Sequence, residues 1–377
     1  MPPNNLLFIA EGQLGDLLLL TPAIRAVKET FPDAVVSLLI VERRNSTSTH
    51  SVENEPIALK EHGVLSTNPN INHMYSVSRD HLRRLSGLKR MMAELRIIQF
   101  LRSRHFDTVL CTFPEDRFAI WAFGSGARVR VGRKHKGFGW VFTHVTPRED
   151  EEKGVLGFYC ELARLIGANV ISERTEYVAT AGAREWAGDF LSSHRLGRER
   201  PLVVVHPGAT GDYKIWPPER YAVLMDHLRE TANADVLLCN GYHDARVITA
   251  IRQHLRAPVT FLDTSAQLDR FAAILEKAAL CITNDSGPRH LAVAVGTPSL
   301  AFFRQHHDRA WNPYPESQSI STVKGNDRCT LCPAGRCLDT MIPGDGYGSM
   351  CLRMITVGEA VEKARIMLAA RASYPHP

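Results

Sequence analysis

The chain has 377 residues, with 45 basic and 40 acidic side chains and a formal net charge of +5. Hydrophobic residues make up 44% and charged residues 23%, which excludes a disordered, collagenous or coiled-coil chain and suits two sizeable cores. No apolar run approaches the ~18 residues needed to span a bilayer. The first ten residues read as a strand that meets Glu11 and Asp16, unlike a secretory signal. Eight cysteines in so long a chain then fit a reduced, cytoplasmic protein.

In chain order, Leu6–Ile9 is a strand, Pro22–Phe31 a helix and Val35–Ile40 a strand. Thr21 reads as the N-cap of that helix and Pro22 as its first residue. A long helix is predicted over His81–Arg104, with Leu82, Leu85, Leu88, Met92, Leu95 and Ile98 on one stripe. The strand Thr108–Thr112 follows, and the polar stretch Arg184–Arg200 reads as the passage between two halves. The second half alternates more regularly. Strands are predicted at Leu202–Val205, Asp235–Cys239, Val259–Leu262, Leu280–Thr283 and Ser299–Phe303. Helices at Pro218–Thr231, Ala245–Leu255, Leu268–Lys277 and Pro288–Val295 separate them. Apolar strands alternating with short helices imply a doubly wound parallel sheet. The division expected is 1–184, 200–355 and a helical tail 356–377, with two open α/β domains facing each other across a cleft.

In such sheets ligands bind beyond the carboxyl ends of the strands. There the second half carries His206-Pro207-Gly208-Ala209-Thr210, Asn240-Gly241, Asp263-Thr264 and Asn284-Asp285-Ser286-Gly287. Ser286 and Gly287 open a helix, whose amides and dipole suit an anion, and Lys214 is placed to neutralise it. A diphosphate fits. The plainer reading makes Asp285 and Ser286 helix caps and Lys214 a solvated lysine. In the first half, Gly12-Gln13-Leu14-Gly15-Asp16 follows the first strand. Asp16 reads as a general base or as an N-cap.

Three segments carry a family resemblance. They are Gly15-Asp16-Leu17-Leu18-Leu19-Leu20-Thr21-Pro22-Ala23-Ile24-Arg25, then His206-Pro207-Gly208-Ala209 with Lys214-Ile215-Trp216-Pro217-Pro218-Glu219-Arg220-Tyr221, and Asn284-Asp285-Ser286-Gly287-Pro288-Arg289-His290-Leu291-Ala292 with Gly296-Thr297-Pro298. In this order they resemble the motifs of glycosyltransferase family 9, the heptosyltransferases. The resemblance implies a GT-B fold of two Rossmann-like domains and an inverting, metal-independent transfer of heptose from ADP-heptose. Asp16 would then be the base. Lys214 and Thr210 would hold the diphosphate with backbone groups of Ser286 and Gly287. Asp285 would bind heptose hydroxyls, His290 would lie near the sugar or phosphates, and Asp244 would reach the ribose or base. The acceptor implied is a lipopolysaccharide-core or related glycan. The alternatives are a protein or small-molecule acceptor, or an inactive binding protein that keeps the fold. The chain departs from the family's usual pattern at Ala10–Glu11, at Arg289 and at Arg304.

Residues Arg79–Arg104 hold eight Lys and Arg against Asp80 and Glu94, and Arg128, Arg130, Arg133, Lys134 and Lys136 form a second basic cluster. Either these are solvated faces, or they attract a phosphorylated glycolipid or the inner membrane surface. No motif supports nucleic-acid binding. Cys329, Cys332, Cys337 and Cys351 have the spacing Cys-x2-Cys-x4-Cys-x13-Cys, in a Cys-rich loop spanning 328–352. That spacing suits a structural zinc or iron ion, or else free thiols or disulfides. Cys111, Cys160, Cys239 and Cys281 read as small buried apolar residues.

Overall fold

The structure is a computed structural model that describes residues 2–42, 57–59, 63–134, 137–146, 154–241, 244–265, 267–304, 311–314, 320–324 and 346–373. It has two compact units, Met1–Glu176 and Tyr177–Pro377. The division falls ahead of the stretch 184–200, most of which is a helix of the second unit.

The first unit begins β1 (Asn5–Glu11), α1 (Leu14–Thr30) and β2 (Val35–Glu42), followed by β3 (Ala58–Leu59) and β4 (His73–Ser78). Then come α2 (Arg79–Arg84), α3 (Gly87–Ser103), β5 (Thr108–Cys111), α4 (Asp116–Gly124), β6 (Val129–Arg133), β7 (His144–Thr146) and α5 (Gly154–Arg164). Its sheet runs β3-β4-β2-β1-β5-β6-β7. Every pairing is parallel except β3 with β4.

The second unit contains α6 (Ala181–Ser193), β8 (Leu202–His206), α7 (Pro218–Glu230), β9 (Asp235–Asn240), α8 (Ala245–His254) and β10 (Thr260–Asp263). It continues with α9 (Leu268–Lys277), β11 (Leu280–Asn284), α10 (Gly287–Ala294), β12 (Ser299–Phe303) and β13 (Ile320–Lys324), and ends in helices Met350–Met354 and Val357–Ser373. Its parallel sheet runs β10-β9-β8-β11-β12-β13. Leaving aside the β3 hairpin, both sheets have the doubly wound order 3-2-1-4-5-6. The order in which the parallel strands are connected therefore reverses between β1 and β5 in one unit and between β8 and β11 in the other. Both crevices follow from strands that are buried throughout, such as Leu-Val-Val-Val-His in β8 and Leu-Cys-Ile-Thr-Asn in β11.

Two helices differ from their sequence reading. Helix α1 starts at Leu14, not Pro22, so Thr21 and Pro22 lie inside it and Gln13 takes the N-cap position. Proline cannot bond the carbonyl four residues back. That carbonyl, of Leu18, instead accepts from Thr21 Oγ1 at 2.7 Å, and the same hydroxyl accepts from the Glu176 amide at 3.0 Å. The predicted helix 81–104 is two helices that break at Leu85–Ser86, before Gly87 with φ of +49°. On α3 the buried residues are Ala93, Ile97 and Leu101, whereas Leu88, Met92 and Leu95 of the predicted stripe are exposed.

Candidate active site

In the first unit the carboxyl ends of β1, β4 and β5 gather charged residues. Gly12 passes so close to β2 that a side-chain carbon there would meet Val41 O at 3.1 Å and Glu42 Cα at 3.2 Å. This tight passage leads straight into α1. Asp16 stands in the first turn of α1 and is buried. It does not hold the N-cap position, which Gln13 takes. Tyr159, from α5, is buried and hydrogen-bonded to the Thr112 side chain. Burial first, then the charge of Asp16 and more weakly that of Glu11, hold its phenol well above the usual range. Beside this group Arg79 pairs with Glu11 at 2.5 Å and with Glu115 at 3.1 Å. Farther along, Arg117 pairs with Glu94 at 3.1 Å. A cavity of about 570 Å³ between α3 and α4 is lined by Arg90, Glu94, Glu115 and Arg117 among others.

In the second unit the loops after β8, β11 and β12 meet. Asn284, fully buried, holds two of them together. Its Nδ2 donates to Pro207 O at 2.5 Å, while its Oδ1 accepts from Trp216 N and Tyr221 Oη, both at 3.0 Å. Trp216 stacks on Phe302 with centroids 4.3 Å apart, and its Nε1 donates to Ile355 O at 3.1 Å. Much of the second and third motifs is therefore scaffold that fixes the loops carrying Lys214 and Asp285.

Lys214 Nζ lies 3.9 Å from Asp285 Oδ2. Burial pulls its ammonium below the ordinary lysine value, the Asp285 charge opposes this, and Arg304 adds to the lowering. Ser286 occupies the N-cap position of α10 without a side-chain cap, its hydroxyl lying 3.2 Å from Thr283 Oγ1. Pro288 supplies no N–H, and Arg289 N bonds Ser286 O. Among the described residues the amides of Ser286 and Gly287 make no hydrogen bond, so the positive end of α10 is left for a ligand. Thr210 is exposed in the loop after β8.

Two other expected donor ligands have partners within the unit. Asp244 is buried, accepts from Gly241 N at 2.5 Å, and lies 3.9 Å from His206 Nε2. Its carboxylate fills the space a side-chain carbon on Gly208 would take. Burial lowers the pKa of His206 against the opposing charge of Asp244. His290 is buried with Nδ1 2.5 Å from Tyr314 Oη. Burial and then Arg289 bring its pKa down to about 3, so it stays neutral. Arg289, fully buried, donates to Trp311 O at 2.9 Å and to Asn312 Oδ1, and lies over the Phe303 and Tyr314 rings. Together Arg289 and His290 fasten the segment 311–314 to α10.

Known proteins resemble this chain in sequence and in fold. A model of glycosyltransferase family 9 (heptosyltransferase) matches residues 94–335. The chain belongs to that family. Lipopolysaccharide heptosyltransferase 3 of Escherichia coli K12 is 24% identical over 323 residues, 80% of this chain and 83% of the relative. The crystal structure of a family 9 glycosyl transferase from Veillonella parvula shares the fold at a TM-score of 0.74 and 19% identity, covering 98% of this chain and 99% of that one. E. coli ADP-heptose lps heptosyltransferase II does so at 0.70 and 18%, with the same two coverages. The fold is accordingly GT-B, and the chain is a glycosyltransferase.

Sequence reasoning placed no role on Arg304, one of the transferase's departures from the family pattern. The β11–β12 ladder pairs Asn284 with Phe302. Arg304 directly follows β12, and its charge reaches Lys214. Its guanidinium lies 4.8 Å from the centre of the Tyr213 ring, next to Lys214. Only strand register could have revealed it. Of the cysteines, Cys111, Cys160, Cys239 and Cys281 are free and buried as read, and burial pushes the Cys160 and Cys281 thiols up to about 12. Cys351 is also buried, with Sγ 3.2 Å from Ser349 Oγ. Cys329, Cys332 and Cys337 lie outside the described residues, among which no group of three or more metal-binding side chains occurs.

Proposed function

We propose that this glycosyltransferase transfers heptose from ADP-heptose to a saccharide of the lipopolysaccharide core, with inversion and without a catalytic metal, in the cytoplasm. The observation that carries the reading is the cluster at the β8/β11 switch point, where Lys214 lies 3.9 Å from Asp285, next in sequence to the uncapped start of α10, and Arg304 is near enough to Lys214 to lower its pKa. The names of the relatives supply the sugar, the nucleotide and the acceptor class.

Displacement at the anomeric carbon builds negative charge on the departing diphosphate. Lys214, Arg304 and the α10 amides take up that charge as the bond to the sugar breaks. Thr210, exposed in the same loop, is a further diphosphate ligand in this reading. Asp285, paired with Lys214, accepts hydrogen bonds from the sugar hydroxyls. Asp244 and His290 act at one remove, by fixing the loops after β9 and β12. Asp16 takes the proton of the acceptor hydroxyl, and the Tyr159 phenol beside it stays protonated across the working pH range.

The test is ADP release from ADP-heptose in the presence of heptose-bearing core saccharides, with the product anomer read by NMR. Core-dependent release with inverted configuration is expected, and Asp16→Asn should lower kcat at least ~10²-fold while ADP still binds. Release with only protein acceptors, or none while ADP binds, would replace the reading by one of the alternatives. Turnover by Asp16→Asn at the unmodified rate would remove the base.

A further inference from the structure

The exposed face of α3 is apolar where a solvated helix would be polar. Leu88, Met91, Met92 and Leu95 stand at i, i+3, i+4 and i+7, and each is 45–65% exposed. They form one stripe on the side of the helix opposite buried Ala93, Ile97 and Leu101. The stripe continues onto neighbouring elements of the same unit. Gly124 of α4 packs on Ile98 of α3, and next to it Phe123 is exposed, its ring 6.5 Å from that of Trp140. Trp140 is itself 73% exposed. An exposed apolar helix stripe with exposed aromatic rings on the neighbouring element is a place for something to dock.

Charge decides what docks. Exposed Lys89 and Arg96 run along one flank of the stripe, Arg83 and Arg84 precede it, and Arg102 follows. Arg130 lies over the Phe123 ring at 5.6 Å. The acids on this stretch are Asp80 and Glu94, and Glu94 is engaged by Trp121 Nε1 at 2.6 Å and by Arg117. A second copy of the chain would bring cations against cations, which disfavours a symmetric pair. We propose that α3, with Phe123 and Trp140, lies in the headgroup region of an anionic lipid bilayer, apolar side chains inserted and Lys and Arg on the lipid phosphates. The cavity lined by Arg90, Glu94 and Arg117 opens on the same helix, so a lipid-anchored glycan would be presented next to it. The docking surface stands on this unit's own surface and does not depend on which sugar is transferred.

The experiment is flotation of the full chain with vesicles of phosphatidylcholine alone or with about one quarter phosphatidylglycerol, at low and high salt. Binding to the anionic vesicles, weakened by salt, is expected, with a blue shift of tryptophan emission that Trp140→Phe removes. The triple variant Leu88→Ser, Met92→Ser, Leu95→Ser should lose at least ~10-fold in vesicle affinity, and Lys89→Gln with Arg96→Gln should lose the preference for anionic lipid. Both should keep the melting temperature and the calorimetric ADP affinity, which reads the transferase site separately. No binding to anionic vesicles at low salt, undiminished binding by the triple variant, or a dimer that the triple variant dissociates would overturn the proposal.

Discussion

Lys214 meets a ligand already largely out of water, so little further desolvation is needed when a diphosphate arrives. Its present partner, Asp285 at 3.9 Å, is too distant for a tight hydrogen bond. Arg304, beside it, keeps the local potential positive. A charge-assisted contact contributes about 1.5–3 kcal/mol, so Lys214→Ala and Arg304→Ala should each weaken ADP binding by about 10- to 100-fold. Calorimetry checks this, and an Arg304→Ala protein that binds ADP as tightly as the unmodified one would return that residue to a purely structural role. Lys214 could be singled out because it stands within a motif in the loop after β8. Arg304 could not be, since an arginine after an apolar strand has no partner until the neighbouring strand is aligned. Asp244 and His290 show a feature the sequence does not. Both are polar residues at a strand or helix end, yet their side chains serve Gly241 and Tyr314, and spacing along the chain does not encode which way a side chain turns.

At the level of elements, α1 holds a doublet that reads as a helix start. Thr-Pro is the usual way to open a helix, yet here the hydroxyl of Thr21 substitutes for the hydrogen bond Pro22 cannot make, and also receives the Glu176 amide. The helix can thus begin eight residues earlier and carry Asp16 in its first turn. Thr21→Val keeps the shape and removes both hydrogen bonds, and should cost about 2 kcal/mol or more. Thr21→Ser keeps the hydroxyl and loses one buried methyl, about 1 kcal/mol. Thermal or denaturant unfolding should rank serine above valine, and the reverse order would assign the position to packing alone. Helix α3 failed for a different reason. It has two apolar stripes, and the one with the larger side chains faces outward while Ala93, Ile97 and Leu101 face the core. Periodicity finds an amphipathic helix without saying which stripe the sheet covers.

For the whole molecule, alternating apolar strands and short helices were enough to give two doubly wound sheets, because parallel strands need crossovers and right-handed crossovers leave few orders. The strand-end segments then had to fall on one edge of each sheet. What chain order could not supply was the attachment of the residues after Phe303, where the sequence offers a cysteine spacing in place of periodic strands. Helix Met350–Met354, which carries Cys351, is tied to the second unit by Trp216 Nε1 and Arg220 Nη1, both bonding Ile355 O at 3.1 and 2.6 Å. An ion shared by Cys329, Cys332, Cys337 and Cys351 would extend that tie along the segment and link metal binding to the stability of the unit. Four thiolates complete a tetrahedral site for zinc or iron. Elemental analysis of anaerobically purified protein should find close to one such ion per chain. Cys329→Ser with Cys332→Ser should remove the ion and lower the melting temperature, while ADP affinity persists because Lys214, Arg304 and the α10 amides owe nothing to the metal. Metal-free protein with freely titrating thiols, and a double variant that melts like the parent, would assign these cysteines no metal.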